Sequence, residues 1–106
     1  MRAQCLHECC SWREDQLATY RKVAVEAAAS PEEWGRVGKR VTAGPLKLDT
    51  SGVAYVFYYP DTRMDILIPS NQSVEDERTG GRLGTRVRVT LDSATALIIS
   101  IKEEVD

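Results

Sequence analysis

Four residues with metal-binding chemistry crowd the first ten positions: Cys5, His7, Cys9 and Cys10. Thiolates and an imidazole are the usual zinc ligands. Their spacing argues against a zinc centre. A structural site takes pairs such as C-x₂-C from separate segments, and no second Cys or His follows in the chain. The segment reads instead as a frayed tail over residues 1–10 with incidental thiols, and no cofactor or metal is expected. Three cysteines confined to that segment also cannot staple the body, which fits a reducing compartment and a cytoplasmic location.

Acid–base and nucleophilic chemistry has little to draw on. His7 is the only histidine, so the body can hold no Ser–His–Asp or Cys–His arrangement. Asp65 is the one carboxylate lying mid-strand among apolar residues. It reads as an exposed side chain on a sheet face, as the partner of a neighbouring arginine, or as a buried general base. Gly80-Gly81-Arg82-Leu83-Gly84 lacks the Lys-Ser/Thr that a phosphate-cradling loop requires. No catalytic residue is assigned, and the expectation is a protein that is not an enzyme.

Binding chemistry is better represented. Arg36, Lys39, Arg40 and Lys47 fall within 36–47 with no acid among them, and Arg78, Arg82, Arg86 and Arg88 fall within 78–88. Brought side by side, the two stretches would hold phosphate oxygens, with Trp34 or Tyr58 as stacking planes. The net charge of −2 gives no bulk attraction to nucleic acid. The run Tyr55, Phe57, Tyr58, Tyr59 sets Tyr58 opposite the other three in an extended strand. An exposed tyrosine with arginines beside it suits a protein-binding surface, because tyrosine offers large contact area at low entropic cost. The binding residues expected are Arg86, Arg88, Tyr58, Trp34, Arg82 and Arg40. The leading expectation is an interaction or regulatory module that binds another protein, or itself as a homodimer, through a sheet face and a 69–84 loop. The alternative is a nucleic-acid-binding accessory domain. A third reading puts a ligand pocket between helix and sheet, unless Leu17, Tyr20, Trp34 and Phe57 fill that space.

The elements that position these residues follow from periodicity. Ser11 to Ala29 repeats apolar residues every three or four positions (Leu17, Tyr20, Ala24, Ala27, Ala28), one stripe of an amphipathic helix with Ser11 as cap. Ser30-Pro31-Glu32-Glu33 opens a second, short helix carrying Trp34: a capping serine, proline at the first helical position and glutamate three residues after the cap. From Arg40 the period changes to strands. Arg40–Asp49 is the first, interrupted at Gly44-Pro45. Val53–Tyr59, apolar on both faces, is expected to be central. Met64–Ile68 follows, then a long polar loop from Pro69 to Gly84. Thr85–Leu91 alternates cleanly, with Val87, Val89 and Leu91 inward and Arg86, Arg88 and Thr90 outward. Ala96–Lys102 closes the sheet with Leu97, Ile99 and Ile101 inward, and Glu103–Asp106 is an acidic tail.

With 106 residues, 42% hydrophobic and 28% charged, residues 11–106 form one α+β domain. Short connections favour antiparallel neighbours. Two architectures suit this order: an antiparallel sheet of about five strands curled around the long helix, as in cystatin-like domains, or a small five-stranded barrel with the helix on its end. The first is preferred because the two-faced strand at 53–59 needs cover. No apolar run approaches the ~20 residues of a membrane span, so no membrane partner is expected.

Overall fold

A computed structural model of the chain describes residues 14–58 and 61–106. The proposed tail at 1–10, its Cys/His cluster, the Ser11 cap and Tyr59 lie outside the described residues. The fold is α+β. Helix α1 (Glu14–Ala28) and helix α2 (Pro31–Val37) pack on a five-stranded sheet made of β1 (Gly38–Lys39), β2 (Ala54–Phe57), β3 (Arg63–Glu75), β4 (Arg82–Asp92) and β5 (Ile98–Val105), in the order β1-β5-β4-β3-β2. The sheet stays open rather than closing into a barrel. It is mixed, because β1 runs parallel to β5 while the other pairs are antiparallel.

The helices form where the sequence places them. Leu17, Ala24, Ala27 and Ala28 of α1 are buried against Val53, Tyr55, Met64, Ile66, Ile68, Val87, Val89, Leu91 and Ile101 on one face of the sheet. The alanines let the helix axis lie close to the strands, so β-branched side chains fill the layer between. Ser30 caps α2, its Oγ accepting from the Glu33 amide at 3.4 Å. The Glu33 carboxylate pairs with Arg36 at 2.7 Å. The Trp34 indole N–H donates to the Ala28 carbonyl at 2.6 Å and ties the two helices together. Gly38 leaves α2 where any Cβ would meet Trp34 atoms at about 2.5 Å, so only glycine fits this exit. Leu17 is buried, and Tyr20, Trp34 and Phe57 pack against the core, so the space reserved for a ligand between helix and sheet is filled.

Several expected elements differ. Residues 40–49 form no strand: the chain breaks away after Lys39, because its polar backbone is engaged by Glu103 rather than by a neighbouring strand. The strand at 53–59 is not central. It is β2, with β3 as its ladder neighbour at the end of the sheet order, and its second apolar face belongs to the uncovered side. The polar stretch after Pro69 is not a long loop. β3 continues to Glu75 and β4 begins at Arg82, so a six-residue turn replaces most of it. Asp76 organises that turn by accepting the Arg78 amide and the Thr79 hydroxyl, and Gly80 supplies a φ of +74°. A register shift in the β4–β5 ladder pairs Leu91 with Ile98. The inward position thus passes to Ile98, leaving Leu97 66% and Ile99 46% exposed. Finally, Glu103–Val105 belong to β5, not to a tail.

Candidate functional site

The two sides of the sheet carry different polar clusters. The side opposite α1, here the open face, has no helix over it among the described residues. Alternation from the buried Val87, Val89 and Leu91 turns Arg86, Arg88 and Thr90 onto it, as the sequence predicts. The ladder sets Asp65 opposite Thr90 and Leu67 opposite Arg88 on β3, and Lys102 and Glu104 opposite Arg88 and Arg86 on β5.

Asp65 is only 3% exposed despite lying on this side, because its neighbours enclose it. Its Oδ1 accepts from Thr90 Oγ1 at 2.5 Å and its Oδ2 from Tyr58 Oη at 2.5 Å. The Arg88 Nη1 donates to the same Oδ2. The other edge of that guanidinium, Nε and Nη2, reaches Glu104 Oε1 at 3.0 Å. Arg86 Nε reaches the same oxygen at 2.9 Å, and Arg86 Nη1 contacts Asp106 at 3.3 Å. Tyr58, Asp65, Arg88, Glu104 and Arg86 thus form one continuous network that runs from the end of β2 across β3 and β4 to β5. The electrostatics follow. The Tyr58 hydroxyl, bonded to the Asp65 carboxylate and partly buried, has its pKa raised, since ionisation would set two anions together. Burial alone would lower Arg88, but its bonds to Asp65 and Glu104 outweigh that and raise it. Burial would likewise raise Glu104, yet Arg86 and Arg88 hold it below the ordinary glutamate range.

The other cluster lies on the helix side. Glu103, 1% exposed, sits beside the buried Val87. Its Oε1 accepts from Arg40 Nε (2.9 Å), the Val41 amide (3.0 Å) and the Thr42 amide (2.9 Å). Its Oε2 accepts from the Thr42 hydroxyl (2.6 Å) and the Thr85 hydroxyl (2.9 Å). Burial opposes ionisation here, but the bonds from Thr42, Arg40 and Thr85 prevail and bring the pKa down to about 2.

The expected binding residues therefore separate. Tyr58, Arg86 and Arg88 come together on the open face. Arg40 turns to the helix side, where it bonds Glu103 and lies over the Trp34 ring at 5.5 Å. Arg82 is spent on Ser73 in the β3–β4 hairpin, and Arg78 stands beside Asp76 at its tip. The two basic stretches do not build one positive surface, because most of their arginines meet carboxylates from elsewhere in the chain. The aromatic planes are also engaged: Arg63 lies over Tyr58 at 5.4 Å, as Arg40 does over Trp34. Asp65 is an arginine partner, one of the three readings its position allowed, and it is not an exposed side chain, because Tyr58, Arg88 and Thr90 enclose it. Glu103 and Glu104 were missed, since an acidic run at a chain end resembles a solvated tail. Only the alternation of β5, carried two residues further, would have found them. No group of three or more metal-ligating side chains gathers among the described residues. None of the helices in the described residues is long and apolar enough to cross a membrane.

No known family matches this chain, and neither the curated proteins nor the solved structures contain a significant match.

Proposed function

We propose that this chain is a non-enzymatic interaction module of the cytoplasm that binds another protein through the open face of its sheet. One observation carries the reading. The face without a helix over it is ordered by the Tyr58–Asp65–Arg88–Glu104 network and carries the half-buried Val56, Leu67 and Pro69 around it. Tyrosine, arginine and aliphatic side chains are the mixture that protein interfaces favour. Side chains fixed before association also lose less entropy on binding. The β3–β4 hairpin beyond Ser73, in place of the expected loop, lengthens this surface.

The carboxylates support a binding role over catalysis. Asp65 and Glu103 each have both oxygens engaged by donors within the fold, which leaves neither poised to take a proton from a substrate. A nucleic-acid role is the weaker reading, because Arg86, Arg88 and Arg40 are held by carboxylates and each candidate stacking ring already has an arginine over one face.

The test is affinity capture with the wild-type chain and with Leu67→Arg, each with and without nuclease. Leu67 lies on the open face and makes no bond in the polar network, and circular dichroism of the variant checks that it is folded. The expected result is a partner, or a second copy, that survives nuclease and is depleted at least tenfold on Leu67→Arg. Equal retention by both proteins would overturn the reading. Loss of the catch on nuclease treatment would transfer the role to nucleic acid.

A further inference from the structure

Residues 40–49 cross the helix-side rim of the sheet from β1 toward β3 without joining a strand, apart from one bridge between Leu48 and Ser70. Almost everything that holds this segment is polar and directed at it from the sheet. Glu103 takes the Arg40 guanidinium, the Val41 and Thr42 amides and the Thr42 hydroxyl. Gln72 Nε2 donates to the Pro45 carbonyl at 2.7 Å. Asn71 accepts the Lys47 amide on its side chain at 2.8 Å and donates its own amide to the Lys47 carbonyl at 3.0 Å. The Asp49 amide donates to the Pro69 carbonyl at 2.8 Å. The bulge in β3 makes these contacts possible: Ser70, Asn71 and Gln72 stand against Thr85 alone, so their polar groups turn outward from the ladder.

The apolar contribution is small. Leu46 and Leu48 lean on the core while only partly buried, and Val41 is 51% exposed. The sheet beneath is the reverse: Ile68, Val87 and Val89 are fully buried. Segments with few buried apolar contacts and exposed hydrogen bonds open at lower free energy than the core they cover.

We infer that residues 40–49 are a strap that opens as a unit independently of the sheet, with the Glu103 carboxylate as its latch. Its ends are fixed by the β1 pairing at Gly38–Lys39 and by the 3₁₀ turn Thr50–Gly52. Opening removes Arg40, Val41 and Thr42 from Glu103 and leaves its carboxylate beside the Thr85 hydroxyl, which Ser70 Oγ meets at 2.8 Å. This device lies on the side opposite the proposed binding face and stands or falls separately from it.

Residue-resolved amide hydrogen exchange on the full chain tests it. In the wild type, the Val41, Thr42, Lys47 and Asp49 amides are expected to exchange at least tenfold faster than the Val87 and Val89 amides of β4, allowing for intrinsic rates. Arg40→Ala, which keeps Glu103 in place, and Thr42→Val are each expected to accelerate the strap amides a further tenfold while the relative protection of β4 is retained. Strap and β4 amides exchanging at one common rate in the wild type would overturn the inference. So would variants that accelerate strap and sheet by the same factor.

Discussion

Asp65 and Glu103 are two carboxylates of nearly equal burial on opposite faces of one sheet, and they are solvated by different parts of the chain. Asp65 is enclosed by side chains already in ladder register with it: Thr90 directly opposite, Arg88 one diagonal away and Tyr58 just beyond β2. Glu103 is enclosed by backbone amides and side chains of a strap more than sixty positions earlier in the chain. The first arrangement needs only strand pairing. The second needs a long-range closure, and it gives a segment without secondary structure its fixed position. A buried charge therefore marks a surface ordered for contact in one case and a fastening in the other.

The difference predicts unequal costs. Glu103→Gln keeps the shape but places an amide before donors that require an anion. It is expected to destabilise the fold by about 3–5 kcal/mol, the scale for breaking a buried charge network. Urea unfolding followed by circular dichroism reads this directly. Asp65→Asn, at a carboxylate held by three side-chain donors rather than by five donors that include two backbone amides, is expected to cost about 2 kcal/mol in the same experiment. Equal losses would erase the distinction between fastening and surface.

Acid sharpens the same comparison. The Glu103 pKa falls from an ordinary 4.5 to about 2 on folding, so the folded state binds the proton less tightly than the unfolded one. Its contribution is complete above about pH 4.5 and is lost as the pH falls through about 2, with a size of about 3 kcal/mol. Glu104, lowered by Arg86 and Arg88, acts in the same direction. Stability measured from pH 6 down to 2 is expected to decline over that window, and the decline is expected to be shallower in Glu103→Gln. An unchanged slope in the variant would remove Glu103 from the acid response.

Much of this was legible in the residues. The Ser30-Pro31 opening of α2, the alanine stripe of α1 and the alternation of β4 each rest on a local rule, and each element forms where that rule puts it. The pairing of Asp65 with an arginine was one of three readings the sequence left open, because whether that strand face is covered is decided by neighbouring elements. The failures have a common origin in long-range geometry. Ser73–Glu75 and Arg82–Gly84 pair with each other at the end of the hairpin, with neither side packed on the core, so no apolar alternation betrays a strand. The bulge that exposes Leu97 and Ile99 depends on how β5 meets β4. The burial of Glu103 depends on a strap whose own sequence, broken by Gly44-Pro45, resembles an interrupted strand. The shared face of Arg86 and Arg88 followed from strand alternation, whereas the positions of Arg40, Trp34 and Arg82 depend on partners that lie on other elements.

Binding through the open face is tested by an amide chemical-shift map of the isotopically labelled chain, recorded with a partner captured by the wild-type protein. Perturbations are expected to centre on Val56, Leu67, Arg88 and Lys102, with α1 unchanged. Perturbations concentrated on the exposed side of α1 or on the α2 surface, with those four amides silent, would contradict it.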